Sequence, residues 1–262
     1  MSANRIFRKL VITTFAVGCF ALSNFAQQKR VRVAAAADLQ TAMPEIAKAF
    51  EAETKTGVDV VYGSSGNFYA QIRNGSPLDA FFSADSDYPR KLEESGLVEP
   101  HSLATFGIGS IVLWLPPGAN CNPERDQWKC LQDPVVKKIA IANPEHAPYG
   151  RAAVAALHKA GLYDELKAKL VFGENISQAA QFVQSGNAQA GILALSLTLS
   201  PALRSGKQWK IPPEFYPRIE QTAVVLKSTR DKTAAQQFVD FATRGPGREV
   251  LAKFGFQPPP AR

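Results

Sequence analysis

Three cysteines and three histidines are scattered through 262 residues, at spacings that match no zinc pattern. Lysine and arginine form no run, which removes the usual signature of a nucleic-acid surface. No Gly-Lys-Ser/Thr phosphate loop is present, and Gly107-Ile-Gly109 is too short to mark a dinucleotide site. A Gly-x-Ser-x-Gly elbow is missing, so a serine hydrolase would have to be built differently. No repeat, low-complexity tract or DNA-binding helix-turn-helix breaks the chain. What remains is a chain that is 45% hydrophobic, enough for one large or two small α/β units with real cores.

Residues 1–26 read as a secretory signal. Arg5, Arg8 and Lys9 form a basic start, and Leu10–Leu22 is an apolar stretch too short for a membrane span. Cleavage after Ala26 or after Ser23 fits the small residues there. Ala16-Val-Gly-Cys19 also has the outline of a lipoprotein box, although Ala16 replaces the usual leucine. Removing three basic residues and no acidic one lowers the formal charge from +7 to +4, a mild basicity that suits an exported, anion-handling protein. Cys121 and Cys130 are then the cysteines left, and an oxidising compartment predicts a disulfide between them across a polar loop.

Along the chain, strands are predicted at Lys29–Ala37, Val58–Tyr62, Ala80–Asp85, Ile108–Leu115, Lys138–Ala142, Ala190–Leu195 and Gln221–Leu226. Helices are predicted from Leu39 to about Glu53, from Ser65 to Asn74, around Tyr88–Glu94, and over about 150–160, 176–185, 233–243 and 247–254, with Gly75, Gly96, Gly161 and Gly186 as stops. Strand and helix in alternation argue parallel α/β sheets with right-handed crossovers. The expected organisation is a signal at 1–26, a first lobe from 27–108, a second lobe over 109–220, and a return to the first lobe over 221–262.

Four strand-to-helix junctions stand out: Ala36-Ala-Asp38-Leu39, Ser64-Ser-Gly66, Asn143 to Arg151, and Gly173-Glu-Asn-Ile176-Ser177. The first N–H groups of a helix have no intrahelical acceptor and carry the positive end of its dipole, so such junctions favour anions. In open parallel sheets they point to the C-terminal strand ends, where ligands sit. With two junctions in each expected lobe, the lobes can close on one small anion from both sides.

The order of Val33-Ala-Ala-Ala-Ala-Asp-Leu39, Gly63-Ser-Ser-Gly66, Leu78-Asp-Ala-Phe-Phe-Ser-Ala-Asp85, Asn143-Pro-Glu-His-Ala-Pro-Tyr-Gly-Arg151, Ala190-Gly-Ile192 and Ala252-Lys-Phe-Gly-Phe256 resembles the molybdate-binding family, the exported substrate-binding components of molybdate ABC transporters. The resemblance implies a two-lobed type II periplasmic binding fold, each lobe a mostly parallel sheet flanked by helices. It implies a monomer that holds molybdate or tungstate by hydroxyl and backbone N–H groups and delivers it to a membrane permease. No cofactor is implied, and molybdenum enters only within the oxyanion. Carried over residue by residue, Ser65 is a hydroxyl ligand, Ile176 a backbone donor and Tyr149 a second-lobe ligand whose phenol can add a donor. Ser64 and Ala37 are secondary candidates. A strand tyrosine used by some members is replaced by Ala194.

Asp38 stands where some members place a serine. A carboxylate about 4 Å from one negative charge costs on the order of 4 kcal/mol at an effective dielectric of 20. The Asp38 side chain is therefore expected to turn back and cap its own helix, leaving a backbone N–H for the ligand. Alternatively it accepts a proton that hydrogen phosphate has and molybdate lacks, which makes phosphate the rival ligand, with sulfate the other tetrahedral alternative. Asp85 and Asp87 read as cap or turn residues rather than an acid/base pair, His146 as a loop histidine, and Arg151 as a surface ion-pair partner. A hydrolase using Ser64 or Ser65 is the enzyme alternative, and a cytoplasmic effector-binding domain is disfavoured by the signal.

Overall fold

A computed structural model of the protein describes residues 29–259. The secretory signal and Cys19 lie outside the described residues. The first stretch of chain gives β1 (Arg30–Ala36), α1 (Met43–Thr54), β2 (Gly57–Gly63), α2 (Ser65–Arg73), β3 (Ala80–Ser83), α3 (Asp87–Glu94) and β4 (Ala104–Gly109). The second gives β5 (Ile111–Leu115), the short helices α4 (Pro123–Asp126) and α5 (Lys129–Gln132), β6 (Ile139–Ala142), α6 (Pro148–Lys159), α7 (Tyr163–Leu166), β7 (Leu170–Gly173), α8 (Ile176–Gln184), β8 (Ala190–Ala194), α9 (Leu195–Thr198) and β9 (Lys207–Lys210). β10 (Ile219–Val225), α10 (Lys232–Thr243) and α11 (Gly247–Lys253) close the chain.

Two five-stranded sheets result, ordered β2-β1-β3-β10-β4 and β7-β6-β8-β5-β9. In each, three parallel strands are followed by an antiparallel one that has arrived from the other sheet, β10 in the first and β5 in the second. Parallel strands buried on both faces need near-continuous apolar sequence, and β1, β3, β6 and β8 have it. The first lobe has a core on each face of its sheet: Phe50, Phe82 and Phe238 pack against α1 and α10, and Phe68, Phe81 and Leu92 pack under α2 and α3. The second lobe buries Ile111–Leu115 and Ile139–Ala142 between its helices, and Ala36, Ala37 and Ala84 of the first lobe join that same core at the closed cleft.

Three expectations need correction. Ile108–Leu115 is not one strand: it breaks at Ser110, with β4 in the first sheet and β5 in the second, so the crossing falls inside the apolar run. The helix expected from Leu39 begins instead as a 3-10 turn, Ala37–Gln40, before α1 starts at Met43. β7 and β9 carried too little pattern to be found, the first being four residues long and the second, Lys-Gln-Trp-Lys, a polar edge. Gly161 and Gly186 end α6 and α8 with φ of +70° and +76°, a conformation that strains any side chain. Cys121 and Cys130 are joined as a disulfide bracketing α4, at a sequence separation of nine. No helix among the described residues is long and apolar enough to cross a membrane.

Candidate functional site

The C-terminal ends of β1, β2, β6 and β7 face one another across the cleft, and each feeds a helical turn. At the end of β2, Ser64 is extended (φ −79°, ψ 146°) and its Oγ accepts the N–H of Asn67 at 3.3 Å. Ser64, not Ser65, is thus the N-cap of α2. Ser65 is the first helical residue and fully buried, and its Oγ accepts the N–H of Ala84 at 3.0 Å. A hydroxyl that already accepts is left with its hydrogen to give, and no acceptor takes it among the described residues.

Ser65, Tyr149 and Ile176 occupy the first or second positions of α2, α6 and α8, where backbone N–H groups have no intrahelical acceptor. None of these three N–H groups finds an acceptor elsewhere among the described residues. Asn175 caps α8 through the N–H groups of Ser177 and Gln178, both at 3.0 Å, so its side chain is committed. Together with Ala37 and Asp38, these residues line one small cavity. No lysine, arginine or histidine side chain among the described residues lines it. A larger cavity of about 630 Å³ lies beside the crossing strands, near Lys210 and Arg218. No α-helix N-terminus points into it, so the smaller cavity is the candidate site.

Asp38 does not cap its own helix. Its carboxylate is fully buried and Oδ2 accepts hydrogen bonds from the Tyr149 hydroxyl at 2.9 Å and the Gln221 amide at 2.7 Å. The 3-10 turn leaves no cap for it to make, and a buried carboxylate draws whatever donors are nearest. The Tyr149 phenol, expected to serve the ligand, is therefore committed to Asp38. Tyr149 remains a lining residue of the cavity, and its backbone N–H has no acceptor among the described residues. Burial pushes the Asp38 carboxyl up to about 6, against the pull of the Tyr149 and Gln221 hydrogen bonds, which favour the charged form. Burial, then the Asp38 charge, push the Tyr149 phenol well above its usual range. Gln221 was missed in the sequence, although a polar residue opening the apolar run Gln-Thr-Ala-Val-Val-Leu was the available signal.

Further hydrogen bonds hold the lobes together around the cavity. The Gly66 N–H donates to the His146 carbonyl at 2.9 Å, and Ser64 Oγ lies 2.9 Å from His146 Nδ1. Ser64 is therefore part of the closure contact rather than a free hydroxyl. The Asn67 amide donates to Glu174, and Ser196 Oγ donates to the Asp38 carbonyl at 2.8 Å. Asp85 accepts from the Tyr88 N–H at 3.2 Å, the turn role expected of it, and also pairs across the cleft with Arg151, whose other amine reaches the Tyr88 hydroxyl.

The sequence and the two-sheet fold are shared with known proteins. Residues 31–257 match the family of bacterial extracellular solute-binding proteins. The molybdate-binding protein ModA of Azotobacter vinelandii is 40% identical over 242 residues, covering 92% of this chain and 95% of the relative. That of Rhodobacter capsulatus is 36% identical over 227 residues, 86% of this chain and 87% of the relative. The solved Azotobacter vinelandii periplasmic molybdate-binding protein superposes with a TM-score of 0.82 at 36% identity, over 88% of this chain and all of that one. These relatives are binding proteins, which sets the hydrolase alternative aside. The chain belongs to the bacterial extracellular solute-binding proteins, in the group of the molybdate-binding proteins.

Proposed function

We propose that the protein captures molybdate, and tungstate with it, in the cavity between Ser65, Asp38, Tyr149 and Ile176, and delivers it to the permease of an ABC transporter. The observation that carries this reading is the convergence of helix N-terminal N–H groups from both lobes, with the spare hydrogen of Ser65, on a cavity that no cationic side chain lines. Dipolar donors suit a desolvated dianion because each N–H···O⁻ bond is charge-assisted, and closure assembles them from both sides. Ser65 is the principal hydroxyl donor, and the backbone N–H groups of Ser65, Tyr149 and Ile176 complete the cradle. Ala37 and Asp38 bring the first-lobe turn to it. Molybdenum has no direct protein ligand in this reading. The lobes are taken as residues 29–109 with 219–259, and 111–210, following the membership of the two sheets. Residues 1–26 export the chain to the periplasm, where it acts as a monomer.

Phosphate is kept as a second reading because a carboxylate, Asp38, lines the cavity and hydrogen phosphate can donate to it. A thermal-shift panel with molybdate, tungstate, sulfate and phosphate separates the two. A ligand at 100 times its dissociation constant adds about 2.7 kcal/mol of stability. Stabilisation by molybdate and tungstate, weakened at least tenfold in Ser65→Ala, is the expected result. A shift with phosphate and none with molybdate would overturn the reading.

A further inference from the structure

An anion cavity explains its backbone donors, but not a buried carboxyl group in its wall. Asp38 is wholly inaccessible, and its two oxygens are used unequally. Oδ2 accepts from both Tyr149 and Gln221, whereas Oδ1 has no hydrogen-bond partner among the described residues. Gln221 belongs to β10 of Asp38's own sheet and Tyr149 to α6 of the second lobe, so the Tyr149 bond is the one of the two that crosses the cleft.

No charged side chain among the described residues offsets it. The 3-10 turn carrying Asp38 packs against β1, β2, α1, α8 and α9. α8 and α9 contain no titratable residue. On β1, Arg30 and Arg32 pair with Asp59 and Asp79, and on β2 the Tyr62 phenol is pushed up to about 12 by burial. On α1, Glu45 pairs with Lys253, while Lys48, Glu51 and Glu53 are not held in the cavity wall. α6 presents Tyr149, with Arg151 committed to Asp85, and β10 presents Gln221, with Glu220 accepting from Thr105. A bound dianion would therefore meet the carboxylate with nothing between them, and two negative groups sharing one site raise each other's affinity for a proton.

We propose that Asp38 enters the anion-loaded state as the neutral acid, carrying on Oδ1 a proton that it donates in a hydrogen bond to the oxyanion, so that capture of a fully deprotonated dianion takes up one proton from solution. The inference rests on the proposed oxyanion-binding function and deepens it. Oδ2 remains the acceptor for Tyr149 and Gln221, and no covalent bond changes hands beyond the O–H formed on Asp38. Hydrogen phosphate would supply the proton itself, so its capture needs no uptake. The upward displacement of the Asp38 carboxyl by burial works in the same direction.

The test is titration calorimetry of the mature protein with sodium molybdate at pH 7.5–8 in buffers of different ionisation enthalpy. The dependence of the measured heat on that enthalpy gives the protons taken up. Close to one proton is expected, with the dissociation constant rising about tenfold per pH unit above neutrality. In Asp38→Asn, whose amide supplies a donor without a titrating proton, the uptake and the pH slope disappear. Molybdate binding by the wild type with no proton uptake overturns the proposal by itself, whatever the variant does. Uptake that survives Asp38→Asn and is lost in His146→Gln assigns the proton to His146 and also overturns it. A wild type that binds no molybdate at all refutes the underlying oxyanion reading instead.

Discussion

Replacing Asp38 by asparagine should make the ligand-free protein more stable, and increasingly so as pH rises. Asp38 has an ordinary carboxyl pKa near 3.8 when unfolded and about 6 when buried in the fold. A raised folded-state pKa means that the native state binds the proton more tightly than the unfolded chain. The stabilisation from the protonated form is thus fully present below 3.8 and is lost as pH rises through about 6. At 1.36 kcal/mol per pKa unit, the wild type gives up about 3 kcal/mol over that window. Asparagine keeps an oxygen to accept from Tyr149 and Gln221 and does not titrate, but its amide hydrogens need acceptors, which costs about 1 kcal/mol. The expected difference is therefore about 2 kcal/mol in favour of the variant at pH 7–8, crossing to about 1 kcal/mol against it at pH 3.5, from the same two magnitudes. Urea unfolding of both proteins at intervals from pH 3.5 to 8 measures it, because the other titrating groups are common to both and cancel. A difference that does not change with pH would show that Asp38 titrates as an ordinary carboxyl group and would refute the burial argument.

Gly66→Ala should disable closure. A Cβ there would lie 2.7 Å from the His146 carbonyl and 2.6 Å from the Tyr88 hydroxyl, so small-angle scattering with saturating molybdate should show less compaction than in the wild type. Arg151→Ala removes a cross-cleft ion pair whose side chains are 39% and 13% exposed, and after allowance for solvent screening it should weaken binding by about fivefold, roughly 1 kcal/mol. That loss should shrink in high salt when affinity is measured by calorimetry. Replacing Cys121 and Cys130 by alanine releases a short loop and should cost about 2–3 kcal/mol of stability on the chain-entropy account. Melting temperature should fall while molybdate affinity stays within twofold, since neither cysteine lines the cavity.

Much of the architecture was legible because it is local. The helical spacing of Met43, Ile46 and Phe50, the residues α1 buries, is visible in the sequence itself, and the stops at Gly161 and Gly186 marked the ends of α6 and α8, each from chemistry within a few residues. β9 was missed for the converse reason: its stability comes from pairing with β5, not from its own Lys-Gln-Trp-Lys. Ser110 was missed as a break because an apolar run looks the same whether one sheet or two receive it. Around the cavity, the capping chemistry of Ser64 and Asn175 lies within three residues of each cap, yet of two adjacent serines the sequence pointed to Ser65 as the cap of α2, and the structure has Ser64.

The sequence by itself determined the class of fold, the four junctions and their common address at the strand ends, since alternation and helix-start chemistry are read from neighbouring residues. It also set Asp38 in the first of those junctions, where a negative charge is out of keeping with the anion expected there. Only the tertiary structure decided what Asp38 does. Its partners Tyr149 and Gln221 are 111 and 183 positions away, and they meet it because both lobes and the crossing strand converge there. Burial is a property of that convergence, and it put in place of an expected helix cap a buried carboxyl group whose pKa is pushed up from the ordinary value.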